Sequence, residues 1–221
     1  MSADEGIRRS DSVHVGIVLL AAGSSERMRK PKQIMPFRGR SLVRVAGDAA
    51  VESGCRPVVT VVGKASDKVI WKLAGLPIIM AENKNWREGQ AGSLRLGVSV
   101  AYNAAPDLDA LIVMVCDQPL LTPDHLRRLI DTYAGGEKTI VAASYEGTRG
   151  VPVLFDRKYF SELIALKGEG GARSMLDKHA EEVAEVDMPE AAFDVDTPED
   201  LERAEEEAER RHTAEQAAAS S

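Results

Sequence analysis

The residues able to do chemistry fall in four groups, two of which draw on a pair of distant stretches. The first is Leu20-Ala21-Ala22-Gly23-Ser24-Ser25, followed by Arg27, Lys30 and Lys32. It continues an apolar run, Val15 to Leu20, with three residues that lack side-chain bulk, so backbone can approach a ligand closely there. Hydroxyls and backbone N–H groups come next, then a cluster of cations within six residues. Small residues, donors and cations at the end of a strand describe a phosphate site. Two familiar fingerprints are not met: Gly23 has neither the second glycine of a Walker loop nor the partners of a Gly-x-Gly-x-x-Gly loop. A tight turn with a solvated basic tail is the plainer alternative, and the ordered Arg27-Met28 and Pro31-Lys32 continuation counts against it.

The second stretch pair carries carboxylates. Asp117 follows the apolar run Leu111 to Cys116 and precedes Gln118-Pro119. A carboxylate at the end of a buried strand needs a cation or donors. A divalent metal on triphosphate oxygens suits it, since Mg²⁺ takes one or two carboxylates plus phosphates; a turn-forming Asp near Thr122 is the other option. Asp194 and Asp196 flank Val195, so an extended segment points both to one face. Thr197-Pro198-Glu199-Asp200 then reads as a well-capped helix start. In the third stretch, Gly89 and Gly92 leave backbone amides open around Gln90, and Ser93 suits a cap for the helix that follows. The fourth joins Arg149-Gly150-Val151-Pro152 to Lys167-Gly168-Glu169-Gly170-Gly171-Ala172-Arg173, where the glycines alone would also make a flexible connection. The four histidines form no metal set, and no Ser-His-Asp or Cys-His pairing is legible.

The elements between these stretches alternate. Apolar, β-branched runs at 15–20, 57–62, 78–81, 111–116 and 139–144 read as strands, most of them buried on both faces. Helical spacing occupies 41–53, 66–74, 94–105 and the segment opened by Thr122-Pro123. This is the rhythm of βαβ units, hence an α/β fold with a mostly parallel, doubly wound sheet and helices on both faces. Ligands on such sheets sit at the carboxyl ends of the strands, where Gly23 and Asp117 fall. Beyond Tyr145 the rhythm changes: 151–155 reads as a strand confined to an edge by Pro152, with helices at 159–166 and 172–178. Short extended pieces follow at 183–186 and 193–195, then a charged helix from 197 to 211.

With 221 residues, 44% hydrophobic and 29% charged, the chain has the composition of a globular protein large enough for a substantial core. A net charge of −7 argues against a general nucleic-acid binder, while the local basic loop can still hold a small polyanion. No segment approaches the roughly 20 apolar residues of a spanning helix, and residues 1–12 lack a secretory apolar core. Cys55 and Cys116 sit in or beside apolar runs, which points to buried thiols rather than a disulfide framework. The expectation is a cytoplasmic protein with a disordered tail at 1–12, one domain over 13–211 and a frayed tail at 212–221.

Leu20-Ala21-Ala22-Gly23-Ser24-Ser25-Glu26-Arg27-Met28 with Pro31-Lys32 resembles the signature loop of nucleotidyltransferases with a GT-A-like Rossmann fold, and within them the MobA/MocA-like family, which attaches CMP or GMP to molybdopterin. The resemblance runs in order over roughly residues 15–204. It implies that the loop, Leu20 to Ser24, wraps a nucleoside triphosphate whose phosphates Arg27 and Lys32 neutralise. It implies a Mg²⁺ held by Asp117 and an acidic residue of the later segment, with Asp194 favoured and Asp196 the second choice. Gly89, Gln90 and Ser93 match a Trp-x-x-Gly-x-x-x-Ser-Leu pattern beside the base. Arg149, Pro152, Glu169 and Arg173 match the half that faces the acceptor. Four positions depart from the family: Arg29 for a glycine, Gly92 for a second serine, Val151 for a polar residue and Glu169 for an aspartate. The resemblance therefore implies Mg²⁺-dependent transfer from an NTP, CTP before GTP, to a phosphorylated acceptor of the molybdopterin kind. A client molybdoenzyme is a possible partner. A GTP-dependent or sugar-phosphate transferase and a non-catalytic cofactor carrier are the alternatives.

Overall fold

The computed structural model describes residues 13–23, 31–168 and 170–219. A seven-stranded sheet forms its centre, made of β1 (Val15–Ala21), β4 (Val58–Val62), β5 (Ile79–Glu82), β6 (Ala110–Val115), β7 (Ile140–Tyr145), β8 (Thr148–Asp156) and β9 (Val183–Asp187), in the order β5-β4-β1-β6-β8-β7-β9. Two-residue strands β2 (Pro36–Phe37) and β3 (Arg40–Ser41) pair apart from it. The helices are α1 (Leu42–Glu52), α2 (Ser66–Leu73), α3 (Gln90–Ala104), α4 (Pro123–Gly135), α5 (Phe160–Ala165), α6 (Gly171–Lys178) and α7 (Pro198–Ala219). Pairings β4–β5, β1–β4, β1–β6 and β7–β9 are parallel, and β8 alone runs against its neighbours β6 and β7.

Every residue of β1 is buried, as a central strand covered on both faces requires. Alternate residues go to two cores: Ile17, Leu19 and Ala21 pack with α1 and α4, while Val18 and Leu20 pack with α3 and α5. Helix α3 lies so close to the sheet that a Cβ at Gly97 would stand 2.4 Å from Cγ1 of Val18. Among the described residues no helix is long and apolar enough to cross a membrane.

Four expectations from sequence need correction. The strand containing Pro152 is not at an edge; β8 lies between β6 and β7. It accommodates the proline because its register with β7 shifts there, from Ala142↔Val153 to Ala143↔Gly150, and pairing with β6 begins only at Val153. Pro152 sits in that bulge, where no ladder N–H is needed. Secondly, α3 starts at Gln90 rather than Leu94, so Ser93 lies inside its first turn and Gly89, at φ 101°, precedes it. Thirdly, 193–195 forms no strand. Lastly, α7 continues past Arg211 to Ala219, where the alanine-rich sequence favours helix by intrinsic propensity. The expected tail at 1–12, residues 24–30, Glu169 and residues 220–221 lie outside the described residues.

Candidate active site

The carboxyl ends of β1 and β6 bound a cleft of about 550 Å³. Leu20, Ala21, Ala22 and Gly23 form one wall, Gly89, Gln90 and Ser93 a second, and Lys32 and Asp117 the floor between them. The fold explains the convergence. Strands β1 and β6 are hydrogen-bonded neighbours in register Leu20↔Val115, so the loop after one and the carboxylate after the other must emerge side by side. Gln33, 2% exposed, fixes the start of the loop by donating from Nε2 to the Gly23 carbonyl at 2.8 Å. Ser24 and Arg27 lie outside the described residues.

Lys32 is the electrostatic centre. Its side chain is 15% exposed and that of Asp117 16%. The ammonium donates to Asp117 Oδ2 and, at 2.8 Å, to Asp196 Oδ1. Burial pulls its proton affinity down, yet the Asp117 charge and the hydrogen bonds to both carboxylates outweigh this, leaving the pKa well above a free lysine's. The other Asp117 oxygen, Oδ1, is buried with no hydrogen-bond partner. A buried carboxylate oxygen without a donor is a place for a cation.

Val195 is fully buried, while Asp194 is exposed and Asp196 half-buried. The Val195 amide donates to the Asp117 carbonyl at 2.9 Å and so ties this segment to the end of β6. Asp196 is the one bonded to Lys32. The Asp194 side is exposed to solvent, but desolvation by its surroundings and then the nearby Asp117 charge push its carboxyl up to about 6. The part that Asp117 plays in this rise means that the two carboxylates stand near enough to feel each other's charge. Among the described residues no group of three or more His, Cys, Asp or Glu stands ready to hold a metal ion.

Of the acceptor residues named from sequence, the described ones, Arg149, Pro152 and Arg173, do not line this cleft. Arg149 pairs with Glu185 of β9 at 2.7 Å and donates to the Ala180 carbonyl at 3.3 Å. Pro152 is buried in the bulge, Arg173 is exposed with Thr148 Oγ1 at 3.5 Å, and Glu169 is outside the described residues. Several residues were given no role of their own in the sequence, although Trp86 is the tryptophan of the Trp-x-x-Gly pattern. Trp86 and Arg87 line the cleft, with the guanidinium 4.5 Å from the ring centre, and Asn83 Nδ2 donates to Ser93 Oγ at 3.0 Å. Tyr145 lies over Gly150, where an added Cβ would stand 2.1 Å from the phenol oxygen. Its phenol is pushed up by burial and then by the charge of Asp194. The Arg-Gly pair at 149–150 was the available signal, since a glycine inside a strand marks a close approach.

A family model described as the MobA-like NTP transferase domain matches residues 17–183. The chain is 30% identical over 197 residues to the nicotine blue oxidoreductase of Paenarthrobacter nicotinovorans, covering 84% of this chain and 94% of that one. It is 29% identical to the purine catabolism protein PucB of Bacillus subtilis, over 83% and 92% of the two chains. Among solved structures, Rv0371c of Mycobacterium tuberculosis H37Rv matches with a TM-score of 0.73 at 29% identity, covering 88% of this chain and 99% of that one. The same protein is known as a manganese complex, which matches with a TM-score of 0.70 over 88% and 99% of the chains at 28% identity. A nucleotidyl transferase of Methanothermobacter thermautotroptrophicus shares the fold, with a TM-score of 0.75 at 19% identity over 90% and 99% of the chains.

Proposed function

The chain belongs to the MobA-like NTP transferase family and is a nucleotidyltransferase; we propose that it moves the nucleotidyl group of CTP onto a phosphorylated acceptor of the molybdopterin kind, releasing pyrophosphate. The observation that carries this reading is the Lys32–Asp117 pair in a cleft walled by Leu20 to Gly23, with Asp196 accepting from the same ammonium. The acceptor's phosphate oxygen attacks the α-phosphorus, the new P–O bond forms, and the bond to pyrophosphate breaks. An ionised phosphate needs no general base, so the protein's work is positioning and electrostatics.

Small residues at Ala21, Ala22 and Gly23 let the nucleotide lie against backbone, and Trp86 offers a face for its base. Lys32 leaves its two carboxylates and turns to the phosphates, offsetting the charge that grows on the departing pyrophosphate; Arg27 does the same from the loop. The orphaned Asp117 Oδ1 with Asp194 fits a divalent cation, Mg²⁺ in this reading. Such an ion would neutralise phosphate charge and hold it in place. The manganese complex of Rv0371c supports that fit. On the acceptor side, Arg173 and Glu169 are the candidate contacts, with Arg149 joining them only if its pair with Glu185 opens.

The test is calorimetric titration of CTP and GTP in Mg²⁺ with wild type and Lys32→Ala, followed by pyrophosphate release with a molybdopterin acceptor. Tight CTP binding lost in the variant is expected. Preference for GTP moves the assignment to guanylyl transfer, and release with a sugar phosphate alone moves it to sugar activation. Cofactor binding without pyrophosphate release would leave a carrier. The relative named nicotine blue oxidoreductase motivates a second reading, an oxidoreductase activity. Redox turnover of nicotine blue by the purified protein would establish it, although the first loop lacks the Gly-x-Gly-x-x-Gly pattern of a dinucleotide site.

A further inference from the structure

Gln118 stands next to the cleft carboxylate yet faces away from solvent, only 2% exposed. Its Nε2 donates to two backbone carbonyls on different elements: Val151 in the β8 bulge at 3.2 Å, and Ala191 in the short turn before Asp194 at 2.7 Å. The Ala191 partner is 73 residues away in sequence. A second bond, Val195 N to Asp117 O at 2.9 Å, runs parallel to it. Two cross-links therefore join the segment that carries Asp117 to the one that carries Asp194 and Asp196, and one of them is a side chain. The other end of the amide, Oε1, is buried without a hydrogen-bond partner. An unpaired buried oxygen lowers stability, so an apolar side chain of the same length would serve the core better.

We propose that Gln118 is a positioning residue: it sets the separation of the Asp117 and Asp194–Asp196 segments and anchors the Pro152 bulge to both. The proposal rests on the metal-carboxylate reading given above for its consequence in catalysis, and on the two carbonyl bonds for its substance. Outer partners that orient metal ligands commonly change affinity or activity by about 10–100-fold.

The experiment compares wild type with Gln118→Met, which keeps the side chain's length and removes both donors, and Gln118→Asn, which keeps the donors and withdraws them by one methylene. Mn²⁺ affinity by calorimetry, kcat and KM for the NTP, and hydrogen exchange of the Val195 amide are measured on each folded variant. Expected are a loss of about tenfold in Mn²⁺ affinity and in kcat, KM for the NTP within twofold of wild type, and faster exchange at Val195. Wild-type Mn²⁺ affinity, kcat and Val195 protection in a folded variant would overturn the proposal. Should wild type bind no Mn²⁺, the metal reading fails by itself, and Val195 exchange alone then decides: faster in the variant upholds the tether, unchanged removes it. If Gln118→Met does not fold, Gln118→Asn is judged by the same readouts.

Discussion

Two hollows lie at opposite ends of β1, and both hold cations. At the amino end, Val13, His14, Cys55, Arg56, Arg127 and Asp131 line a cavity of about 380 Å³. At the carboxyl end lies the 550 Å³ cleft with Lys32 and Asp117. The difference is in what the charges already touch. Arg56 donates to the Val51 and Cys55 carbonyls, and Arg127 to the Glu52 carbonyl and Asp124; Val51 and Glu52 are in the last turn of α1, where cations close orphan carbonyls. Those arginines are structural. In the cleft, by contrast, one ammonium is shared between two carboxylates and one carboxylate oxygen has no donor at all. A site is told from a hole by charge left to be matched, not by volume.

The largest test of this contrast is Asp117→Asn. If the orphaned oxygen holds the cation, kcat falls by about 10²–10³-fold, the scale of removing one preorganised charge partner; steady-state pyrophosphate release measures it, and a loss under tenfold would sink the role. Lys32→Met comes next: nucleotide affinity falls by about 10-fold or more, as for a lost charge-assisted bond to phosphate, while Mn²⁺ alone binds more tightly because its competitor is gone. Calorimetry reads both, and unchanged Mn²⁺ binding would refute the competition.

Acidity should separate the two hollows further. With the Asp194 carboxyl pushed up to about 6, protonation as pH falls through that value neutralises a ligand. Mn²⁺ affinity is then full above about pH 7 and drops toward tenfold per unit below 6, by the one-proton relation. A flat profile from pH 5 to 7 would exclude Asp194. The smallest effect belongs to the other end: Arg127→Ala should lower stability by about 1 kcal/mol through the lost α1 cap, read by denaturant melts, and leave nucleotide affinity alone. A change in affinity would mean that the amino-end cavity communicates with the cleft.

Much of this was legible beforehand. The buried parallel strands announced themselves as continuous apolar runs, and the small residues after Leu20 marked one wall of the cleft. Asp117 stood out because a carboxylate beside Cys116, itself buried, demands a partner. Less legible was the second half. Pro152 argued for an edge strand because a proline cannot join a central ladder, and it was the two-residue register shift against β7 that let it sit inside. Arg149 carries a useful charge in any sequence reading, but Glu185, brought alongside by the parallel β7–β9 pairing, already holds it. Ser93 read as a cap because helical spacing starts at Leu94; the helix begins earlier, at Gln90.

The sequence by itself determined the alternation of strands and helices, the phosphate-type loop and the candidate carboxylates, because these follow from local spacing of apolar, small and acidic residues. Tertiary structure alone decided that Asp196, not Asp194, meets Lys32, that Gln118 spans two carbonyls, and that β8 runs inside the sheet. Those outcomes depend on which distant segments share a sheet neighbour, and loop direction after a strand is fixed by packing rather than by any short-range pattern.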